Sequence, residues 1–335
     1  HSSDSRIFTF DKGRFQAWGK VGFGIRANDH MDSVYNNYGV RYTRLYCDGK
    51  LVFASDVNNI PVSCNRMVNS WGDYDHFLYT KIWFMKSFIE PGNTLPILRA
   101  GADRGIINFN QQRDYHLRYV VSDAFGNQTV KEFTVHGEPQ AIPSVAKPEG
   151  GLPLYCKKDN RINADGVRLN IQKGLLAKDG WLLMRTVPMG NALSMGYSFS
   201  KAPYPLFNYA EINIKAKDGI RNPEKLYIAV RNSAAEGGPS AYCGGIYTNG
   251  WVKGRFRELS DIYFLTSDET APLITKMNLD PHHLFFKITD SGSGLKAYQA
   301  SVDGEFILLE FGKNKEVFFC DLTETPVQRT GKERT

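Results

Sequence analysis

Seven histidines are the residues with which this chain of 335 residues could bind a metal or move protons near neutral pH. One of them has carboxylates close by in NDHMDSVYNN, where Asp29, His30 and Asp32 form a candidate cation loop. The plainer account is that Asn, Asp and His tolerate the conformations a polar loop needs. His116 lies in the alternating run YHLRYVV, and His282 and His283 lie in the turn DPHHL, so both places read as structural. DSGSG at 290–294 sets a serine between glycines without the G-x-S-x-G spacing of a nucleophile elbow, and it reads as a loop before a strand. GFG at 22–24 lacks the third glycine and the helix of a dinucleotide fingerprint. These motifs supply no catalytic residue, no metal-ligand set and no binding residue, and no cofactor is expected in this chain.

Cysteine and tryptophan complete the candidates. Cys47, Cys64, Cys156, Cys243 and Cys320 are an odd, scattered set with no C-x-x-C, which argues against a zinc site and a disulfide scaffold alike. Cys47 reads as a small buried hydrophobe rather than a partner of Cys64. Trp18, Trp71, Trp83, Trp181 and Trp251 include candidates for a platform that stacks sugar rings, but aromatics dominate the cores of β-sandwiches, and each tryptophan reads first as core.

The elements that must position these residues are strands. Aromatics make up 13% of the chain and there are 31 glycines, a balance that favours strands and tight turns. The net charge of +6 is spread thinly, so a nucleic-acid partner is not expected. No apolar run is long enough to span a membrane as a helix. The polar opening HSSDSR, followed directly by IFTF, does not read as a signal peptide.

GVRYTRLYCDGKLVF at 39–53 and GLKAYQASVDGEFIL at 294–308 share an Asp-Gly pair at the same offset, and Cys47 falls where the second copy has Val302. Asp-Gly between alternating runs predicts a two-residue hairpin, so the same hairpin is expected twice. Residues 6–138 are expected to form an immunoglobulin-like sandwich closed by a second hairpin around 123–127. Asp73 should cap a helical insertion through Phe77, Leu78, Ile82 and Met85, ended by Pro91 and Gly92. Residues 139–153 are a Pro-rich linker, 154–267 a second sandwich, and 273–335 a partial immunoglobulin-like domain with the topology of the first but without its last two strands. The fold class is therefore all-β, three β-sandwich domains in tandem, the third incomplete. Such a domain leaves an edge and an apolar face to be covered by a neighbour or by chain beyond residue 335.

The order of GRFQAWGKVGFGIRANDHMD, the first hairpin, FIEPGN near RGIINF, and VVSDAFGN resembles the region after the catalytic domain in lysostaphin-type (LytM-like) zinc metallopeptidases of Gram-negative bacteria. PLFNYAEINIKAK, GGIYTNGWVKGRFRELSDIYFLTSDETAP and FKITDSGSGLKAYQASVDGEFILLEF resemble later parts of the same proteins, in the same order. Those peptidases hold zinc with H-x-x-x-D and H-x-H, and neither spacing occurs here. The resemblance thus implies a non-catalytic accessory region, with zinc in the parent's catalytic domain and a periplasmic or extracellular location. Its implied partners are its own catalytic domain, peptidoglycan or a surface protein. The alternative is a free-standing surface module that binds glycan or protein, and a peptidase domain encoded upstream of His1 would decide between the two.

Overall fold

The computed structural model describes residues 14–30, 36–142, 146–201, 204–231, 241–277, 282–311, 316–325 and 327. The chain is all-β, built of several sheets, and its helices are short. Hydrophobic cores centre in turn on Leu45, Phe53 and Phe109, on Ile171, Ile212 and Phe256, and on Ile307 and Phe318.

In the first stretch a six-stranded sheet takes β1 (Arg14–Ala17), β2 (Tyr42–Cys47), β3 (Lys50–Asp56), β4 (Leu98–Ala100), β5 (Asp114–Ser122) and β6 (Gln128–Gly137). Their order is β1-β6-β5-β2-β3-β4, with β1 parallel to β6 and the other pairs antiparallel. Alternation along β5 buries Tyr115, Leu117 and Tyr119. Leu117 alone contributes roughly 1.5–3 kcal/mol by its withdrawal from water. The loop between β5 and β6 is the five residues expected, tied by the Asp123 carboxylate, which accepts from the amides of Phe125 (2.8 Å) and Asn127 (2.9 Å).

Asp48 and Gly49 turn β2 into β3 with φ of +49° and +77°, and Asp303 and Gly304 repeat this with +51° and +85°. Both central residues have positive φ, the form whose twist matches that of the strands. The repeat goes no further. The expectation that the third stretch copies the first fails, because β2 and β3 lie inside the large sheet, whereas the second hairpin is a ribbon of two strands. A bulge between Leu45 and Tyr46 also shifts register in the first copy, so that Phe53 faces the core there. In the unshifted second copy the core position is Ile307, and Phe306 and Leu308 are exposed. A slip of one residue exchanges the faces of a strand, and the turn alone cannot set it.

The insertion is helical but shorter than predicted. Residues Val62–Met67 form a 3₁₀ turn, and α1 (Val68–Trp71) and α2 (Tyr74–Thr80) follow. Asp73 caps α2 as expected, its side chain accepting from the His76 amide. The helix stops at Lys81, whose φ is +59°, and the Thr80 hydroxyl accepts from the Ile82 amide just beyond. Met85 is instead in a short strand paired with Ile25. Apolar spacing near 3.6 continued past residue 80, but the left-handed cap and the pairing with 24–25 override it.

The second stretch stacks two five-stranded sheets. In chain order the strands are β7 (Asn160–Ala164), β8 (Val167–Ile171), β9 (Arg185–Val187), β10 (Gly196–Ser198) and β11 (Pro205–Lys215). They continue with β12 (Leu226–Arg231), β13 (Ala241–Tyr242), β14 (Ile246–Thr248), β15 (Trp251–Glu258) and β16 (Ile262–Ser267). One sheet is β7-β8-β11-β15-β14 and the other β9-β10-β16-β12-β13, and one core takes side chains from both.

The third stretch holds β17 (Leu273–Lys276), β18 (His283–Thr289), β19 (Ala300–Val302), β20 (Glu305–Ile307), β21 (Glu310–Phe311) and β22 (Val317–Asp321). Its sheet runs β17-β18-β22-β21, so the run from Val317 is a paired strand as expected. Residues 326 and 328–335 lie outside the described residues.

DSGSG, a loop as predicted, fastens this stretch to the second. The Asp268 carboxylate accepts from the Ser293 amide and hydroxyl, both at 2.7 Å, and from the Thr270 amide at 3.1 Å. A Cβ on Gly292 would sit 2.4 Å from that carboxyl group, so a larger residue there would push the Asp268 side chain off these bonds. The Ser293 hydrogen bonds hold Asp268 below the usual carboxylate range. A carboxylate whose pKa is depressed by folding adds stability above its unfolded value and loses it as pH falls through the folded one. The protection factor of the Ser293 amide should therefore hold at neutral pH and drop in acid below about 3.9. In Asp268→Ala it should be low already at pH 7. Equal protection in both proteins at pH 7 would show that the carboxylate does not fasten the loop.

Candidate functional site

The predicted cation loop lies only in part among the described residues. Asn28–His30 form a short strand paired with Asn37–Gly39 rather than a loop, and Asp32 lies outside the described residues. Among the described residues no group of three or more His, Cys, Asp or Glu is placed to hold a metal. All five cysteines are free, so Cys47 and Cys64 are not joined. Cys47 packs at the edge of the first core, and burial, followed by the neighbouring Asp48 carboxylate, pushes its thiol up to about 11.

The tryptophans divide. Trp71 is buried and Trp83 packs on the first core, in edge contact with Phe77. Trp181 is 37% exposed, with the Lys147 ammonium 5.5 Å from its ring. Trp251 leads to the site. It opens β15, WVKGRFRE, where Val252, Gly254 and Phe256 point into the sandwich, while Trp251, Lys253, Arg255 and Arg257 point out. The two-residue period puts four side chains on one line of roughly 20 Å.

Neighbouring strands extend this line into a surface. Across the sheet, Arg161 stands in register with Asn170, Glu211 and Arg255. The next row is Asn163, Arg168, Asn213, Lys253 and Ile246, and Lys215 stands beside Trp251. The outer face therefore carries Arg161, Arg168, Lys215, Lys253, Arg255 and Arg257. Its acids are Glu211, paired with Lys253, and Asp165 on the turn after β7. Among the described residues no carboxylate lies within ion-pair distance of the other five cations.

The rings are engaged with these cations. The Arg168 guanidinium lies 3.8 Å from the centre of the Trp251 ring. Those of Arg255 and Arg257 lie 5.3 and 4.7 Å from the centre of Tyr209, itself 44% exposed. Guanidinium groups stack readily on aromatic faces and keep their N–H edges free to donate. Asn163, Asp165, Gly166, Arg168, Lys215 and Trp251 line a shallow open depression at one end of the line.

Residues 152–268 match the family model of the Zu5-like domain. This Zu5-like stretch contains both five-stranded sheets and the whole basic face. No curated protein and no solved structure matches the chain.

The other end of the line meets the first stretch. Arg66, on the 3₁₀ turn, donates to the Leu206 carbonyl at 2.9 Å. Burial, and next the nearby Arg257, hold it below the usual arginine range. FIEPGN docks beside it: the Gly92 amide donates to the Ala177 carbonyl at 2.7 Å, and buried Glu90 is 3.8 Å from Lys178. Arg104, from RGIINF, holds this loop by donating to the carbonyls of Ile89 (2.9 Å), Glu90 (2.6 Å) and Asn93 (3.1 Å).

Arg168, Lys215, Tyr209, Arg255 and Arg257 were not singled out by motif. The signal was present in WVKGRFRE and its alternation of inward apolar and outward basic residues. What that alternation lacks is the identity of the neighbouring strands, which complete the face.

Proposed function

We propose that this chain is a non-catalytic interaction region, of the accessory kind that the resemblance to lysostaphin-type peptidases implies, and that it engages the cell wall through the outer face of β7-β8-β11-β15-β14. The observation that carries this is the set of five cations with no carboxylate within ion-pair distance among the described residues, three of them lying on Trp251 and Tyr209. An exposed, predominantly basic face of this kind is a steering and docking surface. The joint built from FIEPGN supports an accessory role, since hydrogen bonds and a buried glutamate fix the first stretch against the second and so aim the face. Peptidoglycan, or a polymer borne on it, is the partner this reading favours, and a periplasmic or extracellular location goes with it.

The test is co-sedimentation with purified Gram-negative sacculi. The chain should pellet with sacculi, and a variant carrying Arg168→Glu, Arg255→Glu and Arg257→Glu should stay in the supernatant with an unchanged melting temperature. Equal sedimentation of both proteins, or of neither, would remove this face from the function.

A further inference from the structure

Resting on that reading of the face, we infer that its ligand is a linear anionic polysaccharide laid along β15, and that the aromatic rings hold guanidinium groups for it instead of stacking sugars. The first argument is the state of the rings. A sugar-stacking platform needs an uncovered aromatic face, yet Trp251 has the Arg168 guanidinium at 3.8 Å, and Tyr209 has Arg255 and Arg257 beside it. A guanidinium lying on a ring loses torsional freedom and presents donors that match carboxylate or phosphate oxygens in pairs. The rings thus lower the ordering cost of anion binding.

The second argument is spacing. Lys253, Arg255 and Arg257 recur every second residue, at about 6.8 Å, on one face of a strand. Arg168, two strands away in the row of Lys253, reaches the Trp251 end of the line, and Arg66 lies beside Arg257. An even line of cations fits a polymer with evenly repeated acids better than the irregular acidic patch of a folded protein. Glu211 pairs with Lys253 although it stands opposite Arg255, and Asp165 stands near the Arg168 end, so Arg255 and Arg257 are the β15 cations with no ion-pair partner among the described residues. Single-stranded nucleic acid is held by bases stacking on aromatic faces, and here guanidinium groups already lie on both rings.

The experiment titrates the full chain with polygalacturonate, phosphomannan, dextran, single-stranded DNA and polyglutamate at several salt concentrations. Binding to polygalacturonate or phosphomannan, with no binding to dextran, is expected, and the better of the two identifies the acid. Log affinity should fall linearly with log salt, and Arg255→Gln with Arg257→Gln should reduce that slope by about two. Arg168→Ala and Trp251→Ala should each weaken binding several-fold, and the double variant should be little worse than either. Dextran binding that strengthens in Arg168→Ala would show that the ring serves sugars and overturn the inference. Tighter binding of DNA or polyglutamate than of both polysaccharides would overturn the ligand class. Binding to sacculi that ignores salt and the Arg255 and Arg257 changes would overturn the polyanion while leaving the interaction role. Polysaccharide binding without binding to sacculi would instead sink the cell-wall assignment alone.

Discussion

Gly92→Ala should separate the first stretch from the second. A Cβ at Gly92 would lie 2.0 Å from the Leu176 carbonyl oxygen and 3.1 Å from that of Ala177. Both are backbone atoms, so no side chain can turn aside. Leu176 cannot retreat, because its own side chain is fully buried in the core of the Zu5-like stretch. The FIEPGN loop must lift instead, which breaks the Gly92 to Ala177 hydrogen bond. Overpacking costs about 1–3 kcal/mol and the hydrogen bond about 1 kcal/mol. The joint should therefore lose roughly 2–4 kcal/mol, enough to expose residues 175–178 to protease at temperatures where the parent resists. Gly101→Ala is the control: nothing lies within 4 Å of its Cβ, so it should match the parent. Parent-like resistance in Gly92→Ala would show that the loop tolerates displacement.

Arg104→Met should release the same loop from the other side. Arg104 satisfies three carbonyls with one guanidinium, and its backbone is left-handed, with φ of +53°. Charge-assisted bonds of this kind each contribute about 1.5–3 kcal/mol, though not additively, and a total loss of roughly 2–4 kcal/mol is expected. Arg104→Lys should recover little, since an ammonium cannot reproduce a planar fork that donates from Nε and Nη2 together. Because both changes undock one loop, combining Gly92→Ala with Arg104→Met should cost clearly less than the sum of the single losses in thermal unfolding. Additive losses would mean that Arg104 and Gly92 act in separate structures. Full recovery by lysine would mean that charge alone matters at residue 104.

The two motifs in these predictions stood out in the sequence as a pair, FIEPGN near RGIINF, through resemblance alone. Their meaning comes from position. The spacing shows a glycine after a proline and an arginine 12 residues later. It does not show that the arginine folds back onto the loop, or that the glycine meets a carbonyl from residue 176.

What the sequence determined by itself was local. Asp-Gly and Asp-x-x-Gly-Asn specified turns because few residues accept positive φ or fold a carboxylate back onto the chain. Alternation marked the strands and their inward faces because successive side chains point to opposite sides. Asp73 began a helix because its carboxylate satisfies an otherwise unpaired amide. Tertiary structure decided the rest. It ended the helix at Lys81, placed the two Asp-Gly hairpins among different neighbours, and shifted one by a bulge so that Phe53 and Ile307 face the cores. It also gathered Arg161, Arg168, Lys215, Tyr209 and the β15 cations from four strands onto one surface. Such choices depend on which strands pair across long separations in sequence. That pairing is fixed by the burial of whole faces against one another, a sum over distant residues that no single segment contains.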